Sequence, residues 1–331
     1  MRSDEDIVVI GSNCFTGSHI VDALLEDPAN HVIGISRSPE YKPFFLPYKR
    51  FAAPSFQFVQ LDLTKETEKV IALLDEVRPK VIINVAALSE VGLSNVSPNE
   101  YFAINTVAVV KLCNELRTRP YLKRYVHISS AEIFGNCSEP VDENTRFQPS
   151  TPYAVSKAAA DMYVNVLRQN FGFPATLIRS TNVYGKHQQL FKIIPRTAIY
   201  LKQRKKIQLH GGGVSQKCFI HIKDVVRGLL LAVEQGKPGT YHFTVQSDRT
   251  VTHVVQLICH LMGYDYNSSV EFVDERLGQD TRYVLDCGKA QLELGWTPKV
   301  RFEDGVRETI DWIESHWDAV QREPLVYQHK I

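Results

Sequence analysis

Short apolar runs and helically spaced stretches alternate along the first half of the chain. Residues 6–10 form an apolar run that stops at Gly11, and residues 16–25 repeat apolar positions at helical spacing. Residues 31–35, 56–61, 81–85, 124–128 and 175–179 read as further strands. Residues 66–77, 100–116 and 152–170 read as the helices between them. Strands this short and this uniformly apolar are buried on both faces. In alternation with helices they predict an α/β fold, a doubly wound parallel Rossmann sheet. After Arg179 the rhythm loosens. Residues 192–202 look helical, 206–210 and 217–221 extended, and 224–234 with 240–245 look like a helix and strand rejoining the sheet. The expected division is a dinucleotide-binding domain over 1–181, with 223–245 returning to it. A smaller C-terminal domain takes 182–222 and 246–331.

Composition leaves this picture intact. A chain of 331 residues, 44% apolar and 23% charged, can bury a core without disulfides or metals. A net charge of +1 gives no reason to expect a nucleic-acid or membrane surface. The basic cluster of Lys202, Arg204, Lys205 and Lys206 reads as a solvated helix end. Six scattered cysteines without a C-x-x-C pair predict free thiols and no metal site. No signal peptide is expected ahead of the first strand, and no apolar run approaches 18 residues, so the expected compartment is the cytoplasm.

Ligands on such sheets sit beyond the carboxyl ends of the strands, so the residues that follow each strand carry the chemistry. Gly11-Ser12-Asn13-Cys14-Phe15-Thr16-Gly17 follows the first strand and opens a helix. A glycine turn there brings backbone N–H groups and a helix N-terminus to a pyrophosphate. The second strand ends in Ser36-Arg37-Ser38, with an arginine and no acid. That favours the 2′-phosphate of NADP over the ribose of NAD, which remains possible. Asp62, with Leu63, follows the third strand at the adenine edge. Ala86 and Ala87 follow the fourth and are small enough for close approach.

Three further fragments belong together: Ser129-Ser130-Ala131-Glu132-Ile133-Phe134-Gly135, Tyr153-Ala154-Val155-Ser156-Lys157 and Arg179-Ser180-Thr181-Asn182-Val183-Tyr184-Gly185. With 14 tyrosines, roughly one Y-x-x-x-K is expected by chance. Placement gives this one its weight. Tyr153 and Lys157 share a helix face, and their helix follows a serine loop at the ligand end of the sheet. A tyrosine of ordinary pKa about 10 needs a nearby cation to act as a base, which a lysine ammonium and a positive nicotinamide supply. Ser130 can orient the hydroxyl that Tyr153 deprotonates.

These motifs resemble those of extended short-chain dehydrogenase/reductases, in the nucleotide-sugar epimerase and dehydratase branch. The resemblance runs from Ile7 to about Trp317 and is most like dTDP-glucose 4,6-dehydratases. It implies a dinucleotide site that also includes Asn105, Tyr153 and Lys157. It also implies a homodimer built on the helices near Glu100 and Pro152. Asn182-Val183-Tyr184-Gly185 with Lys192-Ile193-Ile194-Pro195 resembles the segment that binds the nucleotide diphosphate, and Arg276 to Tyr283 resembles a second segment that grips it. Ser89, Asn182, Lys192, Ile193, Lys217, Arg276 and Arg282 are accordingly the expected contacts to a nucleotide-diphosphate sugar. Dehydratases of this type read Thr-Asp-Glu where this chain has Ser130-Ala131-Glu132, so Glu132 matches the C5 base and Ala131 cannot match the acid. Leu88 and Glu90 stand where such dehydratases carry Glu and His. Glu132 favours a 4,6-dehydratase. Ala131 and the stretch from Ala86 to Gly92 favour a 4-epimerase or 4-keto reductase. A non-catalytic dinucleotide-binding protein would not need Ser130, Tyr153 and Lys157.

Overall fold

The computed structural model describes residues 5–51, 55–274 and 280–327. Twelve strands are present among them: β1 Glu5–Ile10, β2 Asn30–Ser36, β3 Phe56–Gln60, β4 Val81–Asn84, β5 Arg124–Ile128, β6 Ala175–Ser180, β7 Asn182–Tyr184, β8 Ile207–His210, β9 Gln216–His221, β10 Gly239–Phe243, β11 Asp248–Thr250 and β12 Val270–Val273. Seven build a central sheet in the order β3-β2-β1-β4-β5-β6-β10. Every pair in it is parallel. Alternate residues of β1 supply opposite cores. Ile7 and Val9 pack with the helices Phe15–Leu24 and Ile222–Glu234, whereas Val8 and Ile10 pack with Thr67–Val77, Ala108–Leu116 and Pro152–Phe171. The chain reverses its winding between β1 and β4, and the ligand crevice of a doubly wound sheet opens at that point.

The smaller layer has its own core, built on the helices Ile193–Lys202, Val251–Met262 and Phe302–Ser315 around Ile194, Leu209, Val254 and Ile313. Two short sheets, β11-β9-β7 and β12-β8, frame it. The 246–331 stretch does not all belong to this layer. The helix Gly288–Leu294 lies against β10, and Trp296 packs on Phe243 in the core of the main sheet. The buried Asp224 carboxylate holds that return in place, accepting from the backbone N–H groups of Lys299 and Val300, while the Trp296 indole donates to the Asp224 carbonyl.

The helix expected over 100–116 is interrupted. Pro98–Phe102 passes into a π turn at Ala103–Val107 and then into Ala108–Leu116. The widened turn carries the buried Asn105. Its side chain accepts from the Leu88 N–H, and donates to the Leu88 carbonyl and to Ser156 Oγ, each at 3.0 Å. Asn105 thus ties the loop after β4 to the helix carrying Tyr153 and Lys157. No described helix is long and apolar enough to cross a membrane.

Candidate active site

A cleft of about 530 Å³ opens over the carboxyl ends of β1 to β4. Gly11, Asn13, Cys14, Phe15, Ser36, Arg37, Asp62, Leu63, Ala86, Ala87 and Ser89 line it. Gly11 has φ +93°, and a Cβ there would lie 2.7 Å from the Ala86 nitrogen, so only glycine lets the turn sit against the loop after β4. The cleft could thus take a dinucleotide, with backbone N–H groups available at the turn and Arg37 and Asp62 further along its lining. Cys14, standing where the related motif has glycine, caps the helix Phe15–Leu24: its Sγ accepts from the Gly17 N–H at 3.2 Å. Ser36 Oγ accepts from the Asn13 N–H, and Asn13 Nδ2 donates to the Ser38 and Pro39 carbonyls. These two residues therefore shape the rim, and Asn13 Oδ1 stays buried without a partner among the described residues. Burial would raise the Asp62 carboxyl, but hydrogen bonds from Thr64 outweigh it and hold the carboxyl below its ordinary value.

Two segments that carry no motif roof this cleft. Residues 38–42 form one wall, and Glu323, Pro324, Val326 and Tyr327 approach from the other side. Lys42 pairs with Glu323, and the Tyr327 ring meets Phe191 edge-on at 5.3 Å.

One strand further along, β5 runs into the serine loop. Ser130 Oγ caps the short helix Ala131–Phe134 by accepting from the Glu132 N–H at 3.2 Å. The loop closes at Gly135, with φ +64° and the Gln148 carbonyl 2.2 Å from where a Cβ would stand. The helix Pro152–Phe171 starts at a Thr151 N-cap with proline in its first turn and stops at left-handed Gly172. Tyr153 and Lys157 are both buried on it. Lys157 Nζ donates to the Ile128 carbonyl at 2.7 Å and faces His127 Nε2 at 3.4 Å. Burial lowers the Lys157 ammonium to about 8, with Asp161 opposing. Burial, then the charge of Glu132, pushes the Tyr153 phenol well above its usual range, while a hydrogen bond with Ser130 pulls the other way. The protein alone thus holds Tyr153 as a neutral phenol.

Burial of its carboxyl raises Glu132 to about 7; Lys217 acts against this and Asp280 adds to it. Lys217 itself is buried, donates to the Asp280 carbonyl and lies 4.6 Å over the ring of Tyr283. The Tyr283 hydroxyl donates to Asn182 Oδ1 at 2.7 Å. Lys192 stands just before the helix Ile193–Lys202 and pairs with Glu90 at 3.1 Å. Asn182, Lys192 and Lys217 thus come together with Glu90, Asp280 and Tyr283, none of which stood among the expected site residues. Their signal was weak: Asp280 and Tyr283 lay inside the quoted Arg276–Tyr283 segment, and Glu90 marked a departure from the related pattern. Arg282 is engaged elsewhere, with Asp248 at 2.6 Å and the Ser138 carbonyl. Arg276 lies outside the described residues. Ala131 is buried with Ile133, Phe134, Ala158 and Tyr283, so no acid comes from that position. No group of histidine, cysteine and carboxylate residues suited to a metal occurs among the described residues.

The sequence profile of the GDP-mannose 4,6 dehydratase family matches residues 8–309. The chain belongs to that family. Among curated members of this nucleotide-sugar dehydratase and epimerase group, human dTDP-D-glucose 4,6-dehydratase is 28% identical over 330 residues, covering 96% of this chain and 93% of its own. The dTDP-glucose 4,6-dehydratase of Xanthomonas campestris is 30% identical, covering 76% and 77%. A dTDP-glucose 4,6-dehydratase of Streptomyces venezuelae, solved with NAD bound, superposes with a TM-score of 0.88 at 28% identity, covering 95% of this chain and 98% of that one. A Thermotoga maritima UDP-glucose 4-epimerase, at 24% identity and TM-score 0.86, shares the fold. The family assignment makes the chain an NAD(P)-dependent enzyme of nucleotide-sugar 4,6-dehydratase type, as the sequence motifs led one to expect.

Proposed function

We propose that this enzyme dehydrates a hexose carried on a nucleoside diphosphate, with dTDP-glucose and UDP-glucose as the substrates to try first. The observation that carries this reading is Glu132, a carboxyl near pKa 7 on the serine loop beside Tyr153. A dinucleotide held along Gly11, Arg37 and Asp62 would supply the acceptor for the two electrons of C4 and their donor at C6. Tyr153 accepts the proton of the 4-hydroxyl, oriented by Ser130, and the positive charges of Lys157 and the nicotinamide favour its phenolate. With a carbonyl at C4 the C5–H becomes acidic, and Glu132 removes it. A group titrating near neutrality serves equally as base and acid. The proton that Glu132 takes can therefore pass to the departing C6 hydroxyl, which leaves as water, so no acid is needed at Ala131. After hydride is returned to C6, C5 takes a proton from solvent through Glu132, and Tyr153 releases the 4-hydroxyl proton to solvent. Lys192, Lys217 and Asn182 supply cationic and polar groups for the nucleotide diphosphate. A product lighter by one water in mass spectrometry is the expected outcome with dTDP-glucose, UDP-glucose or GDP-mannose. An isobaric product from all three would favour the second reading, a 4-epimerase, for which Ala131 and the Leu88–Glu90 departures speak.

Arg37 at the end of β2, with no acid there, supports NADP; NAD, present in the Streptomyces neighbour, is the alternative. Mass spectrometry of the cofactor released on denaturation should find NADP, with Arg37→Ala weakening its binding. Recovery of NAD alone, with Arg37→Ala binding it unchanged, would reverse the assignment.

A homodimer is the proposed assembly. Val155, Met162 and Val166 are 39%, 60% and 45% exposed along one side of the helix Pro152–Phe171, and Val107 is 49% exposed on the helix packed beside it. Apolar residues aligned this way fit a second copy better than water. Sedimentation should give a dimer at micromolar concentration and a monomer for Met162→Lys; a monomeric wild type would refute the assembly.

A further inference from the structure

His127 has no part in the chemistry described above, yet it is fully buried against Lys157. It sits near the carboxyl end of β5, opposite Asn84 of β4 and Leu177 of β6. Its ring is stacked on Tyr125, at 6.4 Å and 12° between planes. Nε2 faces Lys157 Nζ at 3.4 Å, and Nδ1 has no partner among the described residues. An imidazole facing an ammonium can only accept from it, so Nε2 must carry the lone pair and Nδ1 the hydrogen. An orphaned buried N–H is costly in a folded protein. Holding the ring nevertheless in this place requires something that the ring does at its other nitrogen.

We propose that His127 is a positioning residue for the reaction: through Nε2 it fixes the direction and the charge of Lys157. Two of the three ammonium hydrogens then go to fixed acceptors, His127 Nε2 and the Ile128 carbonyl. The third is left for the catalytic side of the helix, towards Tyr153 and the dinucleotide. The ring stays neutral, because burial and the adjacent Lys157 charge both disfavour a second proton. The ionisable groups nearest this pair are Asp161 on the same helix, Tyr125 beside the ring and Arg179, which pairs with Asp161; Tyr153, one turn before Lys157, is faced in turn by Tyr101 and Glu132. None of these supplies the lone pair that His127 presents. The role rests on the catalytic reading of Tyr153 and Lys157 given above.

The test compares His127→Phe, which keeps a planar ring and loses the acceptor, with His127→Gln, which keeps an acceptor at similar reach. The substrate is whichever of dTDP-glucose and UDP-glucose the wild type turns over. His127→Phe should lower kcat roughly 10- to 100-fold, the scale of a misplaced catalytic group. KM for the nucleotide sugar should stay within about two-fold, since ground-state contacts are untouched. The alkaline limb of kcat should move to lower pH, because an ammonium that loses an acceptor gives up its proton sooner. His127→Gln should recover most of kcat and the limb. An unchanged kcat and limb in His127→Phe, or equal losses in both variants, would overturn the proposal. Nitrogen-15 NMR of the wild-type ring, assigned by its disappearance from whichever variant folds, gives a second measurement. It should show Nδ1 protonated and Nε2 bare, and a proton on Nε2 would overturn the proposal by itself. Lys157→Met separates the two readings. Retained activity there means that the catalytic assignment fails, whereas loss in Lys157→Met beside full activity in His127→Phe removes only the role of His127.

Discussion

Tyr153→Phe is expected to lower kcat by roughly 10²- to 10⁴-fold, the range over which a positioned proton acceptor acts. The ring of Tyr153 meets Tyr101 edge-on at 6.3 Å in a buried setting, and phenylalanine keeps that contact. What goes is the hydroxyl, with its hydrogen bond to Ser130. Phenylalanine removes the proton acceptor and little else, so dinucleotide affinity should be spared. Steady-state kinetics together with cofactor titration check both halves. A variant that keeps more than about a tenth of wild-type kcat would show that another group takes the proton.

Glu132→Gln is the variant that decides between dehydration and epimerisation. The amide keeps the shape of the side chain and loses its basicity. A dehydratase should then stall once C4 has been oxidised. The absorbance of reduced nicotinamide should build up, and turnover should fall by roughly 10²-fold or more. Wild-type reaction in deuterated water should place deuterium at C5, read by NMR of the product. In a 4-epimerase the same variant would keep much of its activity and C5 would stay protiated. A pH profile adds a signed check. Glu132 must lose its proton to act as base, so kcat/KM should fall as pH drops through about 7, and Glu132→Gln should lack that limb. On the other side, Lys157 must keep its proton, and the rate should decline above about pH 8.

The parallel sheet was legible because its strands are apolar on both faces and punctuated by glycine or serine, signals that lie within ten residues of one another. The same locality exposed Gly11, Ser130 and the Tyr153–Lys157 pair. Partners joined only in space were not legible. Lys217 and the Asp280 carbonyl are 63 residues apart, and Glu90 and Lys192 are 102 apart. Three-residue strands such as β7 and β11 show no period to read. The π turn at Ala103–Val107 keeps helical composition, so nothing in the sequence marks the extra residue that turns Asn105 inward. His127 looked like one more residue in an apolar strand, and its meaning came only when β5 was set beside Lys157.

The roof over the dinucleotide cleft bears on how the enzyme divides its time. A molecule seated there is covered by residues 38–42 on one side and by Tyr327 and its neighbours on the other. Lys42 pairs with Glu323 and Tyr327 meets Phe191 within that lining. For a dehydrogenase that must trade its spent coenzyme every cycle, such a roof would throttle turnover. A 4,6-dehydratase takes electrons from one carbon and returns them to another of the same sugar, so its coenzyme ends each cycle as it began. Residence over many turnovers is then compatible with speed, and the gate that matters is the one through which the sugar nucleotide comes and goes.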